Sequence, residues 1–117
     1  MTEAQLEKWA KGEAKKRGVL MYKFRSPQKR GVPDQILFYR GATLLVEFKS
    51  PSGKGLLSPL QQKEIATFRA ARMDVAVVDT KVGFILHINE LINWGNALDE
   101  ITRPSRHQAT TSCYPHL

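Results

Sequence analysis

Two apolar segments separated by a glycine constrain the fold more than any other feature of the sequence. Residues 34–40 (DQILFYR) and 43–49 (TLLVEFK) are rich in the branched and aromatic residues that favour strands. Gly41-Ala42 between them fits a two-residue hairpin turn with glycine in the first central position. The sequence therefore predicts an antiparallel β-hairpin over residues 34–49.

Three charged side chains are expected at the open end of this hairpin. A turn at Gly41-Ala42 places Ile36 opposite Glu47, and the same register places Asp34 opposite Lys49. Because side chains alternate along a strand, Asp34, Glu47 and Lys49 then share one face at one edge. Adjacent carboxylates repel each other when ionised, and Mg²⁺, which commonly binds one or two carboxylates plus phosphate oxygens, removes that cost.

This cluster therefore has the parts of a metal-dependent phosphodiesterase, since such an ion stabilises charge on a reacting phosphate. A nearby ammonium stabilises the same charge, or helps to deprotonate the attacking water if its pKa is lowered. The alternative is an exposed Glu–Lys pair at a strand end and an aspartate that caps a turn after Pro33. Taken alone, these short patterns favour the alternative.

The rest of the chain predicts a mixed α/β domain over residues 1–101, followed by an irregular tail over 102–117. The opening helix has its apolar stripe at Leu6, Trp9, Ala10 and Ala14. The predicted elements are helices at 2–17, 58–72 and 89–101, strands at 19–24, 34–40, 43–49, 74–80 and 83–88, and a basic loop at 25–33.

The net charge of +7 is concentrated in the first half of the chain. Residues 1–49 hold eleven Lys and Arg against five Asp and Glu, whereas residues 50–117 hold seven against six. This asymmetry favours a polyanion partner, with nucleic acid first, although solubility alone is the simpler explanation. No apolar run reaches the roughly 20 residues that span a bilayer. The lone Cys113 allows no internal disulfide, which fits a reducing, cytoplasmic compartment, although a lone cysteine fits many places.

A longer set of motifs changes the balance between the two interpretations of the hairpin end. "GVPD", twelve residues and then "EFK" match the PD-(D/E)xK nuclease signature, and the chain resembles the VRR-NUC (virus-type replication-repair nuclease) family. The resemblance covers roughly residues 3–88. The matching segments are Glu3, YKFRSP at 22–27, RGVPD at 30–34, LVEFKSPSG at 45–53, LSPLQ at 57–61 and DVAVVDT at 74–80.

The resemblance implies a restriction-endonuclease-like core, with a mixed sheet of four to five strands flanked by helices. It implies that Asp34, Glu47 and the backbone carbonyl of Phe48 hold Mg²⁺ or Mn²⁺, and that Lys49 is the catalytic lysine. A further acid on the first helix completes the site, directly or through a water. Family spacing favours Glu3. The resemblance to stand-alone viral members of the family implies an endonuclease that cuts branched DNA as a homodimer.

The sequence leaves the roles of several candidate residues open. Glu7 is the second choice for the helix-borne acid, and Glu13 is expected to pair with the surrounding lysines. Gln61 matches the family's site-supporting glutamine, yet Ser58-Pro59-Leu60-Gln61 is also a capping box.

The basic residues around the hairpin are predicted to contact DNA phosphates, which gives affinity without base specificity. The alternative for each is a solvated surface charge. For the whole protein, the alternatives are a non-catalytic DNA-binding module and a flap- or end-processing nuclease of the same fold. The predicted DNA contacts are Lys23, Arg25, Lys29, Arg30 and Lys54.

Overall fold

A four-stranded mixed sheet with helices on both faces forms the core of the protein. The computed structural model describes residues 1–53 and 55–103. The strands lie in the order β1-β2-β3-β4; β1, β2 and β3 are antiparallel neighbours, and β4 runs parallel to β3. This confirms the predicted fold class. The elements are α1 Glu3–Lys16, β1 Leu20–Lys23, β2 Gln35–Tyr39, β3 Ala42–Phe48, α2 Pro59–Ala70, β4 Val75–Val78 and α3 Lys81–Thr102.

The β2–β3 hairpin turns one residue earlier than predicted. Tyr39 pairs with Ala42, so the central residues are Arg40 and Gly41, both with positive φ (47° and 87°). A turn with two left-handed residues matches the twist of the strands, and glycine suits its second position. The predicted turn at Gly41-Ala42 was wrong, and so was the register that depended on it.

The observed register pairs Ile36 with Leu45 rather than with Glu47. The partner of each residue has moved by two positions, and side chains alternate with a period of two. The predicted facing of Asp34, Glu47 and Lys49 is therefore retained, although the direct partners differ.

Residues 83–88 are helical, so the strand predicted there was wrong. They belong to α3, which begins after the N-cap Thr80 and runs for 22 residues. Its buried residues Phe84, Ile88, Leu91 and Gly95 recur every three or four positions. A short apolar run fits a buried strand or a buried helix equally well, and here the longer helical period prevails.

The two faces of the sheet are covered unequally. On one face α1 and α3 enclose an apolar core that includes Leu6, Leu37 and Phe84. On the other face α2 forms a smaller cluster, in which Ile65 packs with Leu45 and Val75. This second cover lies over β3 and β4, and it faces the side of β3 that carries Glu47.

The C-terminal boundary is only partly described. Thr102, the first residue of the predicted tail, is the last residue of α3, and residues 104–117 lie outside the described residues. In the described part of the chain, no helix combines the length and the apolar character needed to cross a membrane.

Candidate active site

Asp34 and Glu47 lie at the same end of the adjacent strands β2 and β3, with Asp34 directly before β2 and Glu47 near the end of β3. Gln35 pairs with Val46, so one step further along the same register brings Asp34 opposite Glu47. The backbone of Asp34 is fixed by the Phe24 amide, which donates to its carbonyl at 2.7 Å. The Glu47 side chain is 11% exposed and the Asp34 side chain 35% exposed. A buried and a half-buried carboxylate therefore face the same space.

Lys49 follows β3 directly and returns its side chain to Glu47. Its backbone amide donates to the carbonyl of Val78 at 2.9 Å, which extends the β3–β4 pairing beyond the strand. Its Nζ lies 3.6 Å from Oε1 of Glu47 and donates to Oε1 of Gln61 at 2.8 Å. The lysine side chain is only 13% exposed, so its charge is held close to the carboxylates.

Gln61 makes the contacts that each of the two interpretations requires. As the third residue of α2 it completes a capping box. Its side-chain Oε1 accepts from the backbone amide of Ser58 at 2.9 Å, and its backbone amide donates to Oγ of Ser58 at 3.1 Å. Its Nε2 also donates to Oε1 of Glu47 at 2.6 Å. One side chain thus connects the start of α2 to both Glu47 and Lys49.

The electrostatics of Glu47 follow from its burial. Burial raises its pKa to about 7; Lys49 opposes this shift, whereas the negative charges of Asp34 and Glu3 add to it. Near neutral pH this carboxyl is poised between its protonated and ionised forms. A positive charge placed between Glu47 and Asp34 would favour the ionised form.

Two glutamates of α1 act on this cluster. Glu3 is exposed in the first turn and contributes to the raised pKa of Glu47. Glu7 is half-buried, and its own pKa is raised by burial, lowered by Lys23, and raised again by Asp34 and Glu3. Both acids lie within electrostatic range of the hairpin end, so the choice between them stays a prediction.

Glu13 is separate from these acids. It binds Arg17 at 2.6 Å and Lys16 at 3.4 Å, and the Arg17 hydrogen bond lowers its pKa. The expected lysine partner is confirmed as Lys16, and Arg17 is a closer partner that was not predicted.

The predicted DNA contacts fall into different environments. Lys23 lies 3.9 Å from Oδ2 of Asp34, so it belongs to the edge of the carboxylate cluster. Lys29 lies 3.3 Å from Oε1 of Glu64 on α2, while 66% of its side chain is exposed. Arg25 and Arg30 are exposed in the loop between β1 and β2. Lys54 lies outside the described residues.

Glu64 is the partner that sequence reasoning missed. Its side chain is 6% exposed and its carboxylate is paired with Lys29. A signal was present, because Gln61, Glu64, Ile65 and Phe68 recur at helical spacing and put a charge on an apolar stripe. A charge in that position needs a partner. The pair fastens the basic loop to the helix that also supplies Gln61.

The donor set suits a hard divalent cation. Within residues 1–53 and 55–103, no three acidic, histidine or cysteine side chains come together as a metal-binding group. Two facing carboxylates are nevertheless a common protein contribution to Mg²⁺, with waters and substrate phosphate oxygens as the other ligands. Asp34 and Glu47, one of them buried with a raised pKa, meet this requirement.

Known proteins are similar to this chain in architecture and in sequence. A solved structure described as "VRR_NUC domain" matches with a TM-score of 0.67 at 27% identity, covering 74% of this chain and 94% of that one. A second, "VRR_NUC domain protein", has a TM-score of 0.63 at 21% identity over 80% and 89% of the two chains, and shows the fold alone. "Putative nuclease p44" of Acyrthosiphon pisum secondary endosymbiont phage 1 is 38% identical over 80 residues, 68% of this chain and 84% of that protein.

The chain belongs to the VRR-NUC family. The resemblance drawn from the sequence is therefore confirmed, although no family model matches the chain. Within the VRR-NUC fold, the Asp34–Glu47–Lys49 cluster lies at one end of the central strands β2 and β3, next to the N-terminus of α2.

Proposed function

We propose that this VRR-NUC protein is a divalent-metal-dependent DNA endonuclease that hydrolyses phosphodiester bonds. The observation that carries the proposal is the placement of buried Glu47 against Asp34 and Lys49, with Gln61 bonded to both Glu47 and Lys49. Burying a carboxylate beside another is costly, and a cation shared with a phosphate substrate offsets that cost. The phage relative is itself named a nuclease.

The residues have distinct proposed roles. Asp34, Glu47 and the backbone carbonyl of Phe48 hold Mg²⁺ or Mn²⁺, and Glu3 completes the site, directly or through a water; Glu7 is the second candidate. When bound, the cation acts as a Lewis acid that stabilises charge on the scissile phosphate and activates water. Lys49 places an ammonium beside the same phosphate.

Gln61 is a positioning residue in this scheme. It donates to Oε1 of Glu47 and accepts from Lys49, so it restrains the two groups relative to each other. Outer partners of this kind orient the groups that hold a metal, and their loss typically reduces affinity or activity. Because Gln61 is anchored in a capping box, the start of α2 provides that rigidity.

The proposed substrate is branched DNA, cut by a homodimer in the cytoplasm of a bacterial or virus-infected cell. Each chain offers one Asp34–Glu47–Lys49 cluster, so symmetric cleavage of a four-way junction requires two chains. Exposed Arg25 and Arg30 beside the cluster supply phosphate contacts that do not depend on sequence. Flap or end processing uses the same chemistry on a different DNA shape.

The test is cleavage of labelled duplex, flap and four-way-junction DNA by the purified protein with Mg²⁺. We expect wild-type protein to cut a branched substrate and EDTA or Asp34→Ala to prevent it. A protein that cuts none of these substrates, or an Asp34→Ala variant as active as wild type, would contradict the proposal. Salt-dependent binding without cleavage would instead identify a non-catalytic DNA-binding module.

A further inference from the structure

An uncovered row of apolar side chains lies on the same side of the sheet as α2. The apolar cluster beneath α2 includes Ile36 of β2 but no residue of β1. Among residues 1–53 and 55–103, the same side of β1 therefore has no helix packed on it. Leu20, Tyr22 and Phe24 are 53%, 51% and 50% exposed, and Phe38 is half-buried beside them. We call these four residues the aromatic strip.

The strip is a continuous surface. Leu20 pairs with Phe38 across the two strands, and directly paired residues point to the same side of a sheet. The Tyr22 ring lies 6.4 Å from that of Phe24 and 6.3 Å from that of Phe38, measured between centroids. From Leu20 to Phe24 the strand rises by about 13 Å. The strip therefore offers several ring surfaces in a row.

One end of the strip meets the candidate active site. The backbone amide of Phe24 donates to the backbone carbonyl of Asp34 at 2.7 Å, so the last ring belongs to the residue whose backbone pairs with that of Asp34. Glu47 follows on the next strand, opposite Asp34. A chain lying along the strip would run directly into the carboxylate cluster.

Basic residues flank the strip at both ends. Exposed Arg25 and Arg30 continue from its Phe24 end. At the other end, Leu20 and Phe38 line a shallow depression together with Arg17 and Arg40. Arg17 also binds Glu13, and Arg40 also contacts Asp99 at 3.4 Å. Proteins that bind single-stranded nucleic acid combine aromatic rings, on which the bases stack, with cationic groups that contact the phosphates.

We infer that the aromatic strip is a stacking platform for unpaired nucleotides of the DNA substrate, next to the scissile phosphate. This inference rests on the proposed function and narrows it to DNA with single-stranded nucleotides beside the cut. Stacking on an aromatic face is tolerant of sequence, because every base has such a face. The strip thus selects DNA by local strand separation, which branched DNA provides and continuous duplex does not.

The test separates binding from cleavage. Fluorescence anisotropy in EDTA measures the dissociation constants of labelled single-stranded oligothymidylate and of a blunt duplex. The double variant Tyr22→Leu/Phe24→Leu keeps apolar side chains on β1 but removes two rings, and Tyr22→Phe is the matched control that keeps both. We expect the double variant to bind single strands about 10- to 100-fold more weakly. Duplex affinity is expected to stay within about twofold of wild type, because phosphate contacts alone support it.

Two results would overturn the inference. One is a double variant whose affinity for single strands equals that of wild type. The other is a wild-type dimer that Tyr22→Arg converts to a monomer in sedimentation experiments without loss of single-strand binding, which would make the strip a contact between copies.

Failure of the inference is distinguishable from failure of the proposed function. A protein that cleaves branched DNA but shows no ring-dependent binding in EDTA keeps the nuclease and loses the platform. A protein with ring-dependent binding but no cleavage on any substrate keeps the platform and loses the nuclease.

Discussion

The two sides of strand β3 face different surroundings, one apolar and the other partly charged. Val46 and Phe48 point into the apolar core beneath α1 and α3 and are almost fully buried. The alternate residues Leu45 and Glu47 point towards α2, where Glu47 accepts a hydrogen bond from Gln61. Consecutive residues therefore alternate between the main core and the α2 side, where Glu47 lies.

This difference explains how a small sheet tolerates a buried carboxylate. The core side fixes the β3 backbone through packing, so Glu47 does not need to contribute to stability. The α2 side surrounds the carboxylate with an amide and an ammonium, from Gln61 and Lys49. Changes on the core side should affect folding, whereas changes on the α2 side should affect DNA cleavage.

Adjacent substitutions on β3 give the largest expected contrast. Phe48→Ala leaves a cavity beside Phe84 and should lower the free energy of unfolding by about 3–5 kcal/mol. Glu47→Gln should keep or raise stability at pH 8, since it removes a buried charge, yet reduce cleavage by about 10³-fold, as for the loss of an essential electrostatic group. Urea unfolding and single-turnover cleavage measure the two effects. A Glu47→Gln protein that is both unstable and active would break the comparison.

Substitutions in the capping box of α2 separate its structural role from its role in the site. Gln61→Leu removes the donor to Glu47 and the acceptor for Lys49, and cleavage should fall about 10- to 100-fold. Ser58→Ala removes the N-cap hydroxyl that accepts from the backbone amide of Gln61 and should cost about 1 kcal/mol of stability.

Ser58→Ala is the matched control, because it leaves the Gln61–Glu47 hydrogen bond in place. Cleavage assays on both variants, corrected for the folded fraction, test the assignment. Equal losses of cleavage in the two variants would show that Gln61 acts only through the helix cap.

The pH dependence of stability reports on the α2 side without any substrate. The folded state holds a proton on Glu47 more tightly than the unfolded state, because its pKa is raised from 4.5 to about 7. This contribution to stability is present below pH 4.5 and is lost as pH rises through about 7. In EDTA, the wild-type protein should lose about 1–3 kcal/mol across this interval relative to Glu47→Gln. Parallel pH profiles of the two proteins would contradict the raised pKa.

Two glycines of the helices that cover the core side of the sheet test its packing. A Cβ on Gly95 of α3 would lie 2.5 Å from the carbonyl oxygen of Tyr39, so Gly95→Ala should cost about 1–3 kcal/mol. Gly12 of α1 has nothing within 4 Å of that position, and Gly12→Ala should stabilise the helix by about 0.5–1 kcal/mol. Thermal unfolding of both variants distinguishes close packing from helix propensity. Equal shifts in the same direction would argue against the close approach of α3 to the hairpin.

Much of the fold followed from local patterns in the sequence. Branched and aromatic residues identified the hairpin strands, and Ser58-Pro59 identified the start of α2, because these signals depend on neighbouring residues. The turn was misplaced because Arg40 adopts a left-handed conformation that its residue type does not announce. The sequence predicts a strand over 83–88 because a short run with four large apolar residues fits either period, and only its packing against the sheet decides.

The candidate site was predictable to a similar degree. Asp34, Glu47 and Lys49 were expected together, and a two-residue error in register preserved their facing. The Glu64–Lys29 pair was missed because it joins a helix to a distant loop. The exposure of Tyr22 and Phe24 was also outside the reach of the sequence, since it depends on which strands α2 leaves uncovered.

The central claim is that Asp34 and Glu47 together hold one divalent cation. Titration of the metal-free protein with Mn²⁺, followed by electron paramagnetic resonance of the free ion, tests it most directly. We predict binding by the wild-type protein and a loss of that binding in both Asp34→Asn and Glu47→Gln. Undiminished Mn²⁺ binding in either variant would contradict the account.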